Sequence, residues 1–526
     1  MTISGRQQPL VSSIAVMAVA VLFVGTGVFA VMYRFIHLNY GFSFDEAFAA
    51  YVATLPWQTL LSVVQAEGRN PPLYYALLKA WSGLVGNGDV ALRVLSSLMG
   101  ALGVITFAWF VRSWWGKRAG IVAFAFASSL VVWVVMSREV RMYALLMLLI
   151  VLCIGTFWRW YRWPTAWNAV AYVGVVMLAL LTHLTVAPVV VAQALFLILS
   201  RRPLRQIFRR CAVVAVAPLA VAAGWFVPVL AYWQSHPIGY TVLNVDSVGL
   251  VRGSYEVLRD YSAFHHGTYS MSTGTMPLFF VARGLMIAVV AVALVAVVLR
   301  VLRSRTSPMR RDDRQLLLLF VLTLVCSVLL TAVLRPFPKY FLPACISFIA
   351  ISTYGVTLLW RRSWVVAAVV ALVLFVSSMT GLPAVIRGQP LPWHGIAHAI
   401  EQDDRPGDLV LVHLWPDELT LRRYSDGTLD IRGVLPIATP EEQSYATTLA
   451  QYNPAQVVTG ENIGPWLTAA TAGRTRIWLV FINNDSFFNG TYVEEWFKDG
   501  AWSVSSTPDI RYAPKGTVTL YERSTP

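Results

Sequence analysis

Residues 119–158 read AGIVAFAFASSLVVWVVMSREVRMYALLMLLIVLCIGTFW. Two apolar runs, 119–136 and 142–158, meet at a turn whose only charged residues are Arg138, Glu139 and Arg141. Each run approaches the roughly 17–25 residues that carry a helix across the hydrocarbon core of a bilayer. Runs this apolar on every side are at home in lipid, where a helix satisfies its own backbone. Nine more such runs lie near 10–33, 90–111, 167–182, 184–200, 211–233, 277–299, 315–334, 340–360 and 364–382. The division between 167–182 and 184–200 is the least marked. The fold class expected is an α-helical polytopic membrane protein of about 11 transmembrane helices over residues 1–382, followed by a soluble α/β domain over 383–526.

Composition agrees. Of the 526 residues, 57% are hydrophobic and 13% charged, against about 25% charged in ordinary soluble proteins. The net charge of +14 does not mark a nucleic-acid partner, because it is unevenly placed. Residues 1–382 hold 30 Lys+Arg and 10 Asp+Glu, whereas 383–526 hold 11 and 17. Cys153, Cys211, Cys326 and Cys345 all sit in apolar runs, with neither disulfide nor metal spacing. Arg6 precedes an apolar run too long for a signal peptide, so the first helix is read as retained.

The basic residues set the orientation. Arg6, Arg112/Lys117/Arg118, Arg159/Arg162, the cluster 201–210, the run 300–314 and Arg361/Arg362 fall in alternate loops. The positive-inside rule puts those loops in the cytoplasm and residues 383–526 outside it. The chain is then a multi-pass protein of the plasma or inner membrane with an extracytoplasmic tail. Two external loops are long: 34–89, with amphipathic pieces near 45–55, 57–66 and 73–85, and 234–276, rich in His and Tyr. In the tail, 409–414, 456–459, 477–482 and 517–521 read as strands separated by helical or turn stretches.

Three motifs fall on the external face in this topology. The first is Phe44-Asp45-Glu46 with Gly68-Arg69-Asn70-Pro71-Pro72-Leu73-Tyr74-Tyr75. The second is Ser137-Arg138-Glu139-Val140-Arg141-Met142-Tyr143, and the third is Arg335-Pro336-Phe337-Pro338-Lys339-Tyr340. In these residues the chain resembles polyprenyl-phosphate-dependent glycosyltransferases of the GT-C fold. The resemblance is to the bacterial branch of protein O-mannosyltransferases, aminoarabinose transferases and Rgt-type lipopolysaccharide sugar transferases. It implies an inverting enzyme that moves a sugar from a polyprenyl monophosphate donor to a lipid, glycan or protein acceptor.

That chemistry needs a base for the acceptor hydroxyl. Asp45 or Glu46 can supply one, and because the two point about 100° apart on a helix, one of them faces the site. The resemblance favours Asp45, with Glu139 a second acidic candidate. The leaving phosphate needs cations that stay charged near lipid, and the guanidinium fork suits it. On a helical turn Arg138 and Arg141 share a face; an ion pair of either with Glu139 is the plainer alternative. Lys339 follows a stiff Pro-Phe-Pro turn, and snorkelling to headgroups is its plainer role. Some relatives carry Lys where Asn70 stands, so the phosphate-side role stays open between Arg69 and Asn70. Tyr74, Tyr143 and Tyr340 complete the substrate-binding candidates. His183 reads as a packed, hydrogen-bonded residue between two helices.

No cofactor is called for by any motif, no metal site is read, and a divalent ion stays open. A transporter or flippase of lipid-linked glycans is the competing class, but it calls for ionisable residues near the bilayer midplane. Here they collect at one face. The topology is checked by placing a cysteine at Asp499 and another at Ser307. The first reacts with an impermeant thiol reagent on intact cells and the second does not; the reverse pattern overturns the orientation.

Overall fold

The computed structural model describes residues 21, 24–67, 70–200, 215–228, 231, 311–333, 342–360, 362–379, 393–413, 417–434, 460–482, 491–500, 502–508 and 516–523. They group into two compact units. One draws on residues 1–36, 93–225 and 242–388, the other on 37–92, 226–241 and 389–526.

The described helices begin with α1 Val24–Tyr33, α2 Phe44–Thr54, α3 Trp57–Glu67, α4 Leu73–Val85 and α5 Asp89–Trp115. Next come α6 Lys117–Ser129, α7 Val131–Met136, α8 Tyr143–Arg162, α9 Ala166–Leu180, α10 Ala187–Leu199 and α11 Ala215–Pro228. Then follow α12 Arg311–Val333, α13 Leu342–Trp360, α14 Trp364–Met379, α15 Trp393–Glu401, α16 Asp417–Tyr424, α17 Gly460–Ala470 and α18 Thr491–Asp499. Among the described residues α5, α8 and α13 are long and apolar enough to cross a membrane. The apolar run 277–299 lies outside the described residues, as does Cys211; Cys153, Cys326 and Cys345 form no disulfide among the described residues.

The first unit is a helical bundle in which α8 packs on α9, and α13 on α6, α12 and α14. One break differs from a reading by hydropathy alone, and a second falls where the sequence divides 167–182 from 184–200. The run 119–136 is divided at Leu130, whose extended backbone ends α6 and opens α7. Ser129 Oγ donates to Ala125 O at 2.8 Å and Ser128 Oγ to the same carbonyl at 3.0 Å, a pattern that loosens a helix. The Ser128 carbonyl is taken by Arg34 Nη1 at 3.0 Å, so the break leaves no orphan there. At the second break, His183 is buried and its Nδ1 accepts from the Thr185 amide at 3.1 Å, capping a 3-10 turn Leu184–Val186 ahead of α10.

In the second unit the three amphipathic pieces of the first loop are the helices α2, α3 and α4, with α2 packed on α4. The tail holds a five-stranded sheet of β1 Leu409–His413, β2 Ile431–Gly433, β3 Arg476–Ile482, β4 Trp502–Ser506 and β5 Gly516–Arg523, in the order β2-β1-β3-β5-β4. β2, β1 and β3 are parallel, and β5 and β4 complete the edge antiparallel. Alternation along β1 explains the layering. Val410 and Val412 face Trp393, Ile396 and Leu421 of α15 and α16. Leu409 and Leu411 face Ile463, Leu467, Val493 and Phe497 of α17 and α18. A strand buried on both sides reads as an unbroken apolar run, which is how β1 showed in the sequence. β2 and β4 did not: one is three residues long, and the other is largely solvent-exposed. The strand read at 456–459 lies outside the described residues.

Asp417 opens α16 and is buried, which pushes its carboxyl up to about 7 against the opposing effect of the Thr420 hydroxyl. A carboxyl whose pKa rises on folding stabilises the fold in its neutral form, and that stabilisation fades as pH climbs from about 4 through about 7. In the purified full-length protein, Asp417→Asn therefore melts close to wild type near pH 4 and above it at pH 8. A difference that does not vary with pH would show that Asp417 titrates normally.

Candidate active site

The described candidate residues divide between the two units. In the unit containing the first loop, Ser43 and Glu46 close both halves of a capping box at the start of α2. The Ser43 amide and hydroxyl donate to Glu46 Oε2 at 3.0 and 3.2 Å, while the Glu46 amide donates back to Ser43 Oγ at 3.4 Å. The Ser-x-x-Glu spacing is the sequence signature of this cap. Glu46 is buried at 3% exposure, its carboxylate committed to the helix start. Asp45 is half-buried in the same first turn, where the helix dipole favours a carboxylate.

Asn70 is buried, and its amide side chain donates to Glu67 Oε1 at 2.8 Å while its backbone amide donates to Glu67 Oε2 at 3.3 Å. Glu67 therefore shapes the turn ahead of Pro71 and Pro72, a partner that no motif had assigned. Tyr74 and Tyr75 are buried edge-to-face at 6.2 Å, and Tyr75 meets Phe48 of α2 at 5.9 Å. Tyr75 thus belongs to the core that holds α4 to α2, with Tyr74 packed beside it. Arg69, Lys339 and Tyr340 lie outside the described residues.

In the other unit, residues 137–142 form turns and bends between α7 and α8, not a helix. The helical spacing expected of Arg138 and Arg141 does not apply, and tertiary partners place them. Arg138 Nη1 donates to Tyr33 O at 2.7 Å and Ile36 O at 2.8 Å, and its guanidinium lies 4.6 Å from the Tyr33 ring centre. It therefore ties the turn to the carbonyl end of α1, where a cation complements the dipole. Arg141 is buried, sits 5.9 Å over the Tyr143 ring, and its carbonyl accepts from Ser96 Oγ at 3.3 Å. Tyr143 is buried and its ring meets that of His183 at 5.9 Å. Glu139 is half-buried, with its carbonyl accepting from the Arg141 amide at 2.7 Å.

Arg34 is the residue that sequence reasoning passed over. It is fully buried, donating from Nη1 to Ala30 O at 2.6 Å and Ser128 O at 3.0 Å, and from Nε to Ser137 Oγ at 3.3 Å. These partners are all neutral oxygens, and among the described residues Nη2 has no hydrogen bond. The Ser97 hydroxyl lies within 2.8 Å of Arg34 O and 3.1 Å of Ser137 O. An arginine at the edge of an apolar run was the available signal, because charge there is costly. Arg34, Ser97, Ser137 and Arg138 thus lock the turn that carries Arg141.

Residues 69–232 match the family described as dolichyl-phosphate-mannose-protein mannosyltransferases. The fold is similar to that of ArnT from Cupriavidus metallidurans in the apo state, with a TM-score of 0.60 at 16% identity over 96% of this chain and 98% of that one. The undecaprenyl-phosphate-bound form of the same protein gives 0.58 at 15% identity, over 95% and 97%. The Archaeoglobus fulgidus oligosaccharyltransferase in complex with Zn and sulfate gives 0.51 at 13%, over 86% and 68%. No curated protein sequence matches. The fold is that of the GT-C membrane glycosyltransferases.

A Cβ built on Gly100 of α5 would lie 2.0 Å from Ser137 Oγ and 2.6 Å from its Cβ. Gly100→Ala must push the turn away, and overpacking of this kind costs about 1–3 kcal/mol. A clear drop in the melting temperature of the purified variant is expected; an unchanged value would show that the turn yields freely.

Proposed function

We propose that this chain, a GT-C glycosyltransferase by fold and family match, transfers a sugar with inversion from a polyprenyl monophosphate carrier. The acceptor is a hydroxyl of a lipid, glycan or protein on the extracytoplasmic side of the plasma or inner membrane. About 11 helices span the bilayer, and the tail lies outside. The observation that carries the mechanism is the capping box. Glu46 closes the cap that fixes the first turn of α2, and Asp45 in that turn is the general base.

Asp45 takes the proton of the acceptor hydroxyl as its oxygen attacks the anomeric carbon. The bond from that carbon to the phosphate oxygen breaks on the opposite face, and the polyprenyl monophosphate leaves with the electron pair. Arg138, Arg141 and Lys339 offset the charge that grows on the phosphate, with Arg69 or Asn70 alongside. Tyr74, Tyr143 and Tyr340 shape the substrate site, and Glu139 stands as a second acid. The undecaprenyl phosphate bound to a protein of similar fold supports the donor class.

Asp45→Asn is expected to fold normally and lose about 10²–10⁴-fold in transfer rate, measured on purified enzyme by mass spectrometry of the product. Wild-type turnover in Asp45→Asn, with Glu46→Gln inactive, would move the base to Glu46. The same assay offers the polyprenyl-phosphate sugar and the matching nucleotide sugar separately. Turnover with the nucleotide sugar alone would overturn the donor assignment.

A further inference from the structure

Two residues of α16 in the tail reach back more than three hundred positions to both ends of the first loop. Tyr424 Oη accepts from the Phe42 amide at 2.7 Å and donates to the Asp89 carboxylate. Arg423 holds Asp89 Oδ1 with Nε at 2.9 Å and Nη2 at 2.8 Å, and the same Nη2 reaches Asn87 O at 2.6 Å. Its guanidinium also lies 4.5 Å from the centre of the Phe42 ring. Phe42 is fully buried, and α16 packs on α2. His394 of α15 supports Tyr424 from behind, with its ring centre 4.3 Å away.

This is a built contact rather than a surface ion pair. The side chains of Arg423 and Asp89 are 17% and 19% exposed, and a two-nitrogen grip on a carboxylate fixes geometry as well as charge. Phe42 immediately precedes Ser43, the N-cap of α2, and Asp45 follows two residues later. A buried amide needs an acceptor, and here the tail supplies the one for Phe42. The path is short and stiff: Arg423 and Tyr424 hold Phe42 and Asp89, Phe42 sets the N-cap, and the capping box sets the first turn with Asp45.

We propose that Arg423 and Tyr424 are positioning residues for Asp45, so that the tail domain is a working part of the catalytic apparatus. The inference rests on the reading of Asp45 as the base. A base must be held to within about 0.5 Å of its working position, and a displacement of about 1 Å can cost on the order of 10²-fold in rate. Losing the clamp should therefore lower kcat and leave donor recognition, which draws on other residues, in place.

The test uses purified full-length protein and a polyprenyl-phosphate sugar, comparing Tyr424→Phe, Arg423→Gln, Arg423→Lys, Asp45→Asn and the Asp45→Asn/Tyr424→Phe double variant. Tyr424→Phe and Arg423→Gln are expected to lose about tenfold in kcat, with the donor KM within about twofold of wild type. Arg423→Lys, which keeps the charge on Asp89, should recover part of the loss. With the base absent, adding Tyr424→Phe to Asp45→Asn should slow residual turnover no further. Wild-type kcat in Tyr424→Phe and Arg423→Gln, or a full additional loss in the double variant, overturns the positioning role while leaving Asp45 as the base. Wild-type turnover in Asp45→Asn sinks the base assignment and the positioning role together. If Tyr424→Phe does not fold, Arg423→Gln and Arg423→Lys carry the same test: equal kcat in the two, at the wild-type value, overturns it.

Discussion

The helical unit is organised around a buried guanidinium. Arg34 sits with no solvent exposure at the end of α1, bonded to oxygens of α1, of the α6 terminus and of Ser137. Charge is expensive to bury unless its donors are occupied, so the surrounding backbone is arranged to serve it. The carbonyl freed by the break at Leu130 goes to Arg34, and Arg138 occupies the carbonyls of Tyr33 and Ile36. Gly100 leaves room for Ser137 where any side chain would collide. The turn between α7 and α8 is consequently a fixed object, and the proposed phosphate ligands Arg138 and Arg141 are held by it.

The unit of the first loop and tail fixes the start of α2, the turn that holds Asp45. A loop helix of 11 residues such as α2 is marginal alone. It gains a capping box at its start, a packed face against α4, and a second packed face against α16. The tail is itself well packed, with helices covering both faces of its sheet and β1 buried at every residue.

Much of this was legible in the sequence, and what was not has a common physical cause. Periodicity marked α2, α3 and α4, because each must present an apolar face within a dozen residues. β1, β3 and β5 showed as apolar or β-branched runs, whereas β2 and β4 are defined by their partners and lack a pattern of their own. The family motifs pointed to Asp45, Arg138 and Arg141. The Ser43-x-x-Glu46 pattern is the sequence signature of the cap at the start of α2. Distance in the chain hid the rest. The break at Leu130 depends in part on an arginine 94 positions before Ser128, and the grip on Phe42 comes from a tyrosine 382 positions away. The helical spacing read for Arg138 and Arg141 failed for the same reason, since the turn they occupy is set by tertiary partners.

In the proposed function, Arg138 and Arg141 receive the phosphate of the lipid donor. The most direct measurement is the melting temperature of purified protein with undecaprenyl phosphate and with undecaprenol, the uncharged alcohol of the same chain. A ligand that binds only the folded state raises stability in proportion to RT ln(1 + [L]/Kd). A rise with the phosphate is expected, with little from the alcohol and loss of the difference in Arg138→Gln and Arg141→Gln. Equal shifts from phosphate and alcohol, or a full phosphate shift in both arginine variants, would contradict it.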